Sequence, residues 1–225
     1  MPDFYQETVY PFVKRLIDIF AAVFGILLFS PLMIAIWIAR KLEGSKNVIF
    51  SQPRVGKGGK SFRFFKFSSM TTTTAEEERE FFIQLEKDDP RLLEEYRRSN
   101  FKFKDGGDPR ITKVGRIIRR FSVDELPQFF NVLKGDMSLV GPRAYKPDEL
   151  EYKLKEYPQS KKDVDLLLTV RPGITGVWQV SGRSEVDFPQ RAQMDSGYAR
   201  RRSLGEDFKI ILKTPAAMII GKGAY

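Results

Sequence analysis

The sequence predicts an α+β fold that is mostly helical, with one apolar membrane segment near its start, amphipathic helices and a small β-hairpin region. Three observations predict this class. Ile19 to Ala39 is an apolar run without a charged residue. Val48 to Phe67 holds two apolar or aromatic runs around a glycine-rich centre, and Ile111 to Phe121 repeats its apolar residues at helical spacing.

The bulk composition limits what the chain can do. Its 38 Lys and Arg against 29 Asp and Glu give a net charge of +9, which suggests an anionic partner: nucleic acid, a membrane face or phosphorylated small molecules. The chain contains no Cys and no His, which excludes disulfides, thiol catalysis and a histidine base. A bound metal would then be a hard cation on oxygen ligands, with Mg²⁺ favoured over Zn²⁺.

The apolar run is long enough to cross a bilayer. A helix of about 21 residues is roughly 31 Å long, which matches a hydrocarbon core of ~30 Å. A signal peptide is disfavoured because the run is long and no small-residue cleavage site follows it. Ser30 and Pro31 lie inside the run. Pro31 is expected to break or bend the helix, and the Ser30 hydroxyl can satisfy the backbone groups that are freed.

Two paths through the membrane stay open from the residues alone. Arms of roughly 12 and 9 residues on either side of Pro31 would each reach about half-way through the bilayer, as in a re-entrant helix–break–helix. The alternative is one spanning helix with a proline kink. Basic residues flank both ends of the run, so charge gives little preference for moving either end across. We assign residues 1–45 to the membrane anchor and residues 46–225 to a separate domain.

The stretch after the anchor predicts a basic hairpin and then an insertion. Glycines in the middle of Val48 to Phe67 suit the hairpin connection, and its lysines and arginines form either a solvated surface or one for phosphates and headgroups. Residues 71–108 read as a helical insertion without assigned chemistry. Thr74 is its expected N-cap, with Glu77 completing a capping box.

The second half of the chain predicts further short elements. The helix at Ile111 to Phe121 has a basic face. This suits a core helix with one solvent-exposed face, a helix at the membrane interface or a helix that binds nucleic acid. The elements predicted after it are a helix from near Ser122 to Lys134 closed by Gly135, a helix from Glu149 to Leu168 interrupted at Pro158, a strand–turn–strand from Val170 to Val180, and an apolar tail from Phe208 to Ile220 that packs on the core or the membrane surface.

Two adjacent carboxylates carry the most chemical information. Asp124 and Glu125 follow a basic cluster that includes Arg119. A carboxylate can attack phosphorus to form an acyl phosphate, a neighbouring carboxylate can hold Mg²⁺, and arginines bind phosphate oxygens. The competing interpretation is structural: Ser122-x-x-Glu125 has the form of a capping box, and by itself the pair fits a helix cap better than catalysis.

The motifs, taken in order, resemble the bacterial polyprenyl-phosphate phosphoglycosyl transferases, the monotopic sugar transferases of glycan assembly. The resemblance covers nearly the whole chain, and the order of its motifs is more specific than any one of them. The motifs are Lys14-Arg15-x-x-Asp18, Ser30-Pro31, Gln52-x-Arg54-x-Gly56, Phe65-Lys66-Phe67-x-x-Met70, Asp124-Glu125-Leu126-Pro127-Gln128, Asn131-Val132-Leu133-Lys134-Gly135-Asp136-Met137-Ser138, Val140-Gly141-Pro142-Arg143 and Arg171-Pro172-Gly173-Ile174-Thr175-Gly176.

This resemblance implies a reaction and a location. A re-entrant anchor with interfacial helices would hold a catalytic domain on the cytoplasmic face of the bacterial inner membrane. Asp124 matches the nucleophile that attacks the sugar-linked phosphate of a UDP-sugar and releases UMP, and Glu125 matches the carboxylate that binds Mg²⁺ next to Asp124. The phosphosugar would then pass to polyprenyl (undecaprenyl) phosphate. The implied partners are the UDP-sugar, polyprenyl phosphate and membrane lipids, without nucleic acid; self-association is left open.

The resemblance also names polar positions that would contact the substrates. These substrate-binding candidates are Lys66, Arg119, Arg143, Arg171, Gln179, Arg183, Asp195 and Tyr198. Two positions depart from the usual pattern: Ser68 stands where a basic residue is typical, and Ala144 replaces a proline after Arg143. The insertion and the C-terminal ending resemble members that transfer hexose phosphates, such as those of galactose or glucose.

Two other functions compete with catalysis. A membrane-tethered protein that binds nucleic acid would explain the net charge but not the acid pair. A membrane-anchored scaffold would leave Asp124 and Glu125 with only a capping role.

Overall fold

A computed structural model describes residues 5–71, 74–98, 103, 108–181 and 186–220. Within these ranges the chain is mostly helical and carries two small two-stranded sheets, as the sequence predicts. The helices are α1 Tyr10–Leu42, α2 Ala75–Asp88, α3 Pro90–Arg98, α4 Lys113–Arg120, α5 Gln128–Lys134, α6 Pro147–Glu156, α7 Lys161–Leu167, α8 Val177–Ser181, α9 Phe188–Arg201 and α10 Leu204–Ile220. The strands are β1 Ile49–Val55, β2 Ser61–Phe67, β3 Ser138–Val140 and β4 Gly173–Thr175.

Helix α1 runs through the proline at which a break was predicted. Its 33 residues form one α-helix with Pro31 inside it. Pro31 has no N–H to donate to the carbonyl four residues earlier, which is that of Leu27. The Ser30 hydroxyl donates to this Leu27 oxygen at 2.8 Å, so the predicted role of Ser30 is confirmed. Among the described residues, α1 is the helix long and apolar enough to cross a membrane.

One face of α1 packs along the rest of the molecule from end to end. Near its start, Lys14 pairs with Asp207 of α10 at 2.8 Å. Near its end, Arg40 is buried and its guanidinium donates to Met70 O at 2.9 Å and to the Thr112 hydroxyl. The opposite face exposes large apolar side chains. In the 18-residue apolar stretch of α1, only 17% is buried. A one-sided exposed apolar face of this length is typical of a membrane-associated helix.

The hairpin and the insertion form as predicted. β1 and β2 pair antiparallel from Ile49↔Phe67 to Val55↔Ser61. In the insertion, Glu77 N donates to the Thr74 hydroxyl at 3.1 Å and Thr74 N donates to Glu77 at 3.2 Å, so the capping box is confirmed. Helices α2 and α3 follow it, whereas residues 72–73, 99–102 and 104–107 lie outside the described ranges.

Two predictions in the second half of the chain are wrong. Ser122 does not cap a helix: it adopts the left-handed conformation (φ 54°), its side chain makes no capping hydrogen bond, and α5 begins only at Gln128. The strand–turn–strand predicted for Val170 to Val180 holds a single strand, β4, because Val177–Ser181 is helical. β4 finds its partner far away in sequence, pairing parallel with β3 in the register Ser138↔Gly173 and Val140↔Thr175.

The remaining predicted elements are confirmed. Gly135 ends α5 with φ 87°, which favours glycine. α6 and α7 are separated by a 3₁₀ turn at Pro158–Ser160. The C-terminal tail is helix α10, and its Ile210 packs on Val140 and Tyr198 while Phe208 and Leu212 are exposed.

Candidate active site

The acid pair lies in a 3₁₀ turn, Val123–Glu125, between α4 and α5. The turn is entered through the left-handed backbone of Ser122, a conformation that costs a non-glycine residue about 1–2 kcal/mol. It leads into Pro127, directly before α5. The two carboxylates differ in exposure: Asp124 is buried, with 9% of its surface accessible, whereas water reaches Glu125.

Asp124 faces two cations. Burial raises the pKa of Asp124, while the charges of Lys66, on β2, and Arg119, at the end of α4, act in the opposite direction. The same burial lowers the pKa of Lys66, and Asp124 raises it. The fold has therefore brought the hairpin and the basic helix together around one carboxylate.

Glu125 sits at the centre of a second basic group. Burial among the surrounding protein and the negative charge of Asp124 raise the pKa of Glu125 to about 7. The positive charges of Arg143 and Lys66 oppose this shift.

Arg143 connects the acid pair to α8 and α9. Its backbone N–H donates to Asp195 at 3.0 Å, and its guanidinium lies 5.3 Å from the Trp178 ring centre. Burial raises the pKa of Asp195 to about 7, against the opposing effects of the Arg143 N–H and the Arg191 charge. Asp195 therefore belongs to the wall of the site that carries Arg143.

Two of the other predicted substrate-binding residues, Arg171 and Tyr198, make contacts away from the acid pair. Arg171 donates to Gly135 O at 2.8 Å, at the end of α5 opposite to the acid pair. The Tyr198 hydroxyl bonds Asp207 at 2.5 Å and Val140 O at 3.2 Å, tying α9 to α10 and β3. Gln179 lies on α8, and Arg183 lies outside the described residues.

Sequence reasoning missed Arg54 as a site residue. It is buried, donates to Ala144 O at 2.8 Å and lies 3.8 Å from Glu149. Burial and the nearby Arg143 charge lower the pKa of Arg54 to about 10, and Glu125 is among the groups that raise it. Its place in the Gln52-x-Arg54-x-Gly56 motif was the signal that could have identified it.

The donor set fits a hard cation shared with a substrate. The described residues hold no group of three or more acidic side chains that could bind a metal alone. Mg²⁺ commonly binds one or two carboxylates, completing its shell with substrate phosphates and water. Glu125, which water reaches, and the adjacent Asp124 offer that number of oxygen ligands.

The described residues combine one long apolar helix with a carboxylate pair beside Lys66, Arg119 and Arg143. The family described as bacterial sugar transferase matches residues 9–221, and the chain belongs to it. The geometry of Ser122 contradicts the interpretation of the acid pair as part of a helix-capping box.

Named relatives agree with this assignment. The chain is 44% identical to the undecaprenyl-phosphate galactose phosphotransferase of Salmonella typhimurium, covering 95% of this chain and 42% of that protein. It is 36% identical to the undecaprenyl-phosphate glucose phosphotransferase of Komagataeibacter xylinus, covering 94% and 37%. It is 38% identical to the exopolysaccharide production protein ExoY of Rhizobium meliloti, covering 94% and 88%. The chain thus spans well under half of the first two relatives and most of the third.

Proposed function

We propose that this protein transfers a sugar 1-phosphate from a UDP-sugar to polyprenyl phosphate, through a covalent intermediate on Asp124. The observation that carries the proposal is a buried carboxylate held against Lys66 and Arg119 in a chain that contains no His and no Cys. The names of its relatives, which include undecaprenyl-phosphate sugar phosphotransferases, support the same donor and acceptor.

In the first step, a carboxylate oxygen of Asp124 attacks the phosphorus that carries the sugar. A new P–O bond forms, the bond from that phosphorus to the bridging diphosphate oxygen breaks, and UMP leaves with the electron pair. Lys66 and Arg119 favour the charged form of Asp124 and face the oxygens on which charge develops. The local low dielectric strengthens these interactions.

Glu125 and Asp124 would hold a magnesium ion. When bound, the ion supplies neutralising charge to the diphosphate and to the leaving UMP. Arg143 and Arg54, on the Glu125 side, are placed to bind phosphate oxygens of the leaving group, because both interact electrostatically with Glu125.

In the second step, a phosphate oxygen of the polyprenyl carrier attacks the aspartyl phosphate. The P–O bond to the sugar phosphate forms, and Asp124 leaves as a free carboxylate. Asp124 is thereby regenerated without a histidine base, since a phosphate oxygen of the carrier is already ionised.

The carrier has to reach this site from the bilayer. Exposed apolar side chains on the elements that flank the acid pair support membrane contact there: Ile117 and Phe121 at the end of α4, and Phe130 on α5. Phe208 on α10 is also exposed, beside the start of α1. α1 is one continuous helix, without the break at Pro31 that the predicted helix–break–helix requires. Because both of its ends pack on the same body, we propose that both ends lie at the cytoplasmic leaflet, as in a re-entrant path, and not on opposite sides of the membrane. We propose this location, on the inner membrane of a bacterium, for the full protein.

A hexose phosphate is the proposed cargo. Two relatives are named for galactose and glucose, and a further relative, from Aeromonas hydrophila, is named for N-acetylgalactosamine. The transfer would begin the assembly of a glycan on its lipid carrier. ExoY is named for exopolysaccharide production, which supports that role.

The test is incubation of the membrane-reconstituted protein with a panel of UDP-sugars, followed by intact-mass measurement and assay of released UMP. We expect a phosphohexose adduct on the wild type, its loss in Asp124→Asn by at least about 10³-fold in rate, and a weaker Mg²⁺ dependence in Glu125→Gln. Asp88→Asn, at an exposed carboxylate on α2, is the matched control and is expected to keep wild-type activity.

Three outcomes would contradict the proposal. A stable adduct mapped by peptide sequencing to another residue would remove Asp124 from its role. UMP release that persists in Asp124→Asn without any adduct would favour direct transfer. Salt-dependent nucleic-acid binding with no UMP release would instead support a tethered nucleic-acid-binding protein.

A further inference from the structure

Asn131, on α5, makes contacts that its place in the sequence does not explain. The side chain is completely buried, at 0% exposure. Its amide oxygen accepts a hydrogen bond from Phe65 N at 3.0 Å, and its amide nitrogen donates to Arg63 O at 2.6 Å. Both partners are backbone groups of β2, the strand that carries Lys66.

The two hydrogen bonds of the Asn131 side chain take the place of those that a neighbouring strand would make with the edge of β2. In a strand, alternate residues direct their N–H and C=O groups to the same side, so Arg63 and Phe65 share one edge of β2. The opposite edge of β2 is paired with β1 along its whole length. The Asn131 amide has one acceptor and one donor at the spacing of a peptide group, and it thus occupies the free edge as a neighbouring strand would.

The same residue is close in sequence to the acid pair. α5 begins at Gln128, directly after the turn that contains Asp124 and Glu125. Lys66 follows Phe65, and its charge acts on both carboxylates. A rigid connection between α5 and β2 therefore sets the separation between the attacking carboxylate and its cation.

We propose that Asn131 is a positioning residue that holds Lys66 against the acid pair for the transfer reaction. It touches no reacting atom and acts through the backbone of β2. The inference rests on the proposed function, because it concerns the rate at which Asp124 becomes phosphorylated. Displacement of a catalytic group by about 1 Å can slow a reaction about 10²-fold, so two hydrogen bonds can have a large effect.

The first experiment separates positioning from folding. Asn131→Ala removes both bonds, whereas Asn131→Asp keeps the bond from Phe65 N and loses the donor to Arg63 O. The full chain is reconstituted in lipid nanodiscs with donor alone, and intact mass gives both the final adduct fraction and its rate of formation. We expect adduct formation per active molecule to fall about 10- to 100-fold in Asn131→Ala, with the donor KM changed under about threefold. In Asn131→Asp we expect a fall at least as large, because the new carboxylate oxygen faces Arg63 O and the Asp136 carboxylate in a buried site.

Ser196→Ala is the matched control. Ser196, on α9, is also buried, and its hydroxyl contacts Asp163 of α7 at 2.6 Å and Gln193 O of its own helix at 3.1 Å. We expect this variant to lose thermal stability while its adduct rate per active molecule stays at the wild-type value. An Asn131 variant that shows a reduced adduct fraction with an unchanged rate would overturn the proposal, because a purely structural role predicts that result.

The second experiment tests whether Asn131 acts through Lys66. In a Lys66→Met background, Asn131→Ala is expected to slow adduct formation by less than about twofold, because the cation that it positions is gone. The proposal would be overturned if Asn131→Ala slowed adduct formation by the same factor in the Lys66→Met background as in the wild type. The wild type separates this failure from failure of the proposed function: absence of any wild-type adduct refutes the covalent reaction, whereas a normal wild-type adduct with unaffected Asn131 variants refutes only the positioning role.

Discussion

A carboxylate that attacks phosphorus must be charged, and the burial of Asp124 opposes that charge. Lys66 and Arg119 offset the opposition, but burial still raises the pKa of Asp124. Their own partners are few: Arg119 has a buried guanidinium nitrogen without a hydrogen-bond partner. A donor group that is buried and unsatisfied is poised to bind an incoming phosphate oxygen, since that contact satisfies it without displacing an existing partner.

The raised pKa of Asp195 predicts that the stability of the folded protein depends on pH. Its pKa is about 7 in the folded protein, against about 3.9 for an unfolded Asp. A raised pKa makes the folded state bind its proton more tightly, so the stabilising contribution is complete below about pH 4 and is lost as the pH rises towards 7. Asp195→Asn is expected to remove this pH dependence of stability. The melting temperature of the variant, relative to that of the wild type, is therefore expected to rise by several degrees between pH 5 and pH 8.

The measurement is thermal unfolding followed by tryptophan fluorescence in one detergent at each pH. Asp148→Asn is the control, and its profile is expected to parallel the wild type because the side chain is exposed. A parallel profile for Asp195→Asn as well would show that the proton on Asp195 does not contribute to folding.

The geometry of the site depends on how closely α4 approaches the backbone that follows strand β2. Thr112 caps α4 by accepting from Gly115 N at 2.9 Å, and Thr112 N donates to Ser69 O at 3.2 Å. A Cβ atom added at Gly115 would lie 2.0 Å from the Ser69 carbonyl oxygen. Only glycine permits this contact, which brings the helix bearing Arg119 beside the hairpin bearing Lys66.

Gly115→Ala is therefore expected to destabilise the protein by about 3 kcal/mol or more, because backbone atoms cannot rotate away as a side chain does. The melting temperature would fall by about 6–12 °C, and the rate of UMP release would fall in the molecules that remain folded.

Gly205→Ala, in α10, is the comparison variant. Its added Cβ would meet only the Ser203 hydroxyl, at 3.9 Å, so the melting temperature is expected to stay level or rise slightly. Equal effects of the two substitutions would show that the close approach at Ser69 is relaxed in solution.

The whole molecule is arranged around α1. Asp18 of this helix accepts from the Ser138 hydroxyl and from Leu139 N, both at 3.0 Å, and Ala22 and Ile36 enter two separate hydrophobic clusters of the body. The proposed membrane anchor is therefore also part of the hydrophobic core of the rest of the described chain. The net charge of +9 suits such a protein at an anionic cytoplasmic leaflet.

The orientation of α1 can be tested by single cysteines, because the chain has no native Cys. Tyr5→Cys and Ser45→Cys lie before and after the helix. If both ends are cytoplasmic, an impermeant maleimide labels neither variant in intact cells and labels both after permeabilisation. Labelling of Tyr5→Cys from outside would establish a spanning helix with a proline kink.

The sequence by itself determined the local elements and the order of the motifs. The apolar run of α1, the glycines between β1 and β2 and the capping box at Thr74 act over a few residues, and such signals are readable along the chain. The tertiary structure decided what lies far apart in sequence: the parallel pairing of β4 with β3, the helix at Val177–Ser181 and the meeting of Lys66 with Asp124. The left-handed Ser122 belongs to this second group, because packing of α4 and α5 overrides the helix-capping preference that serine shows in isolation.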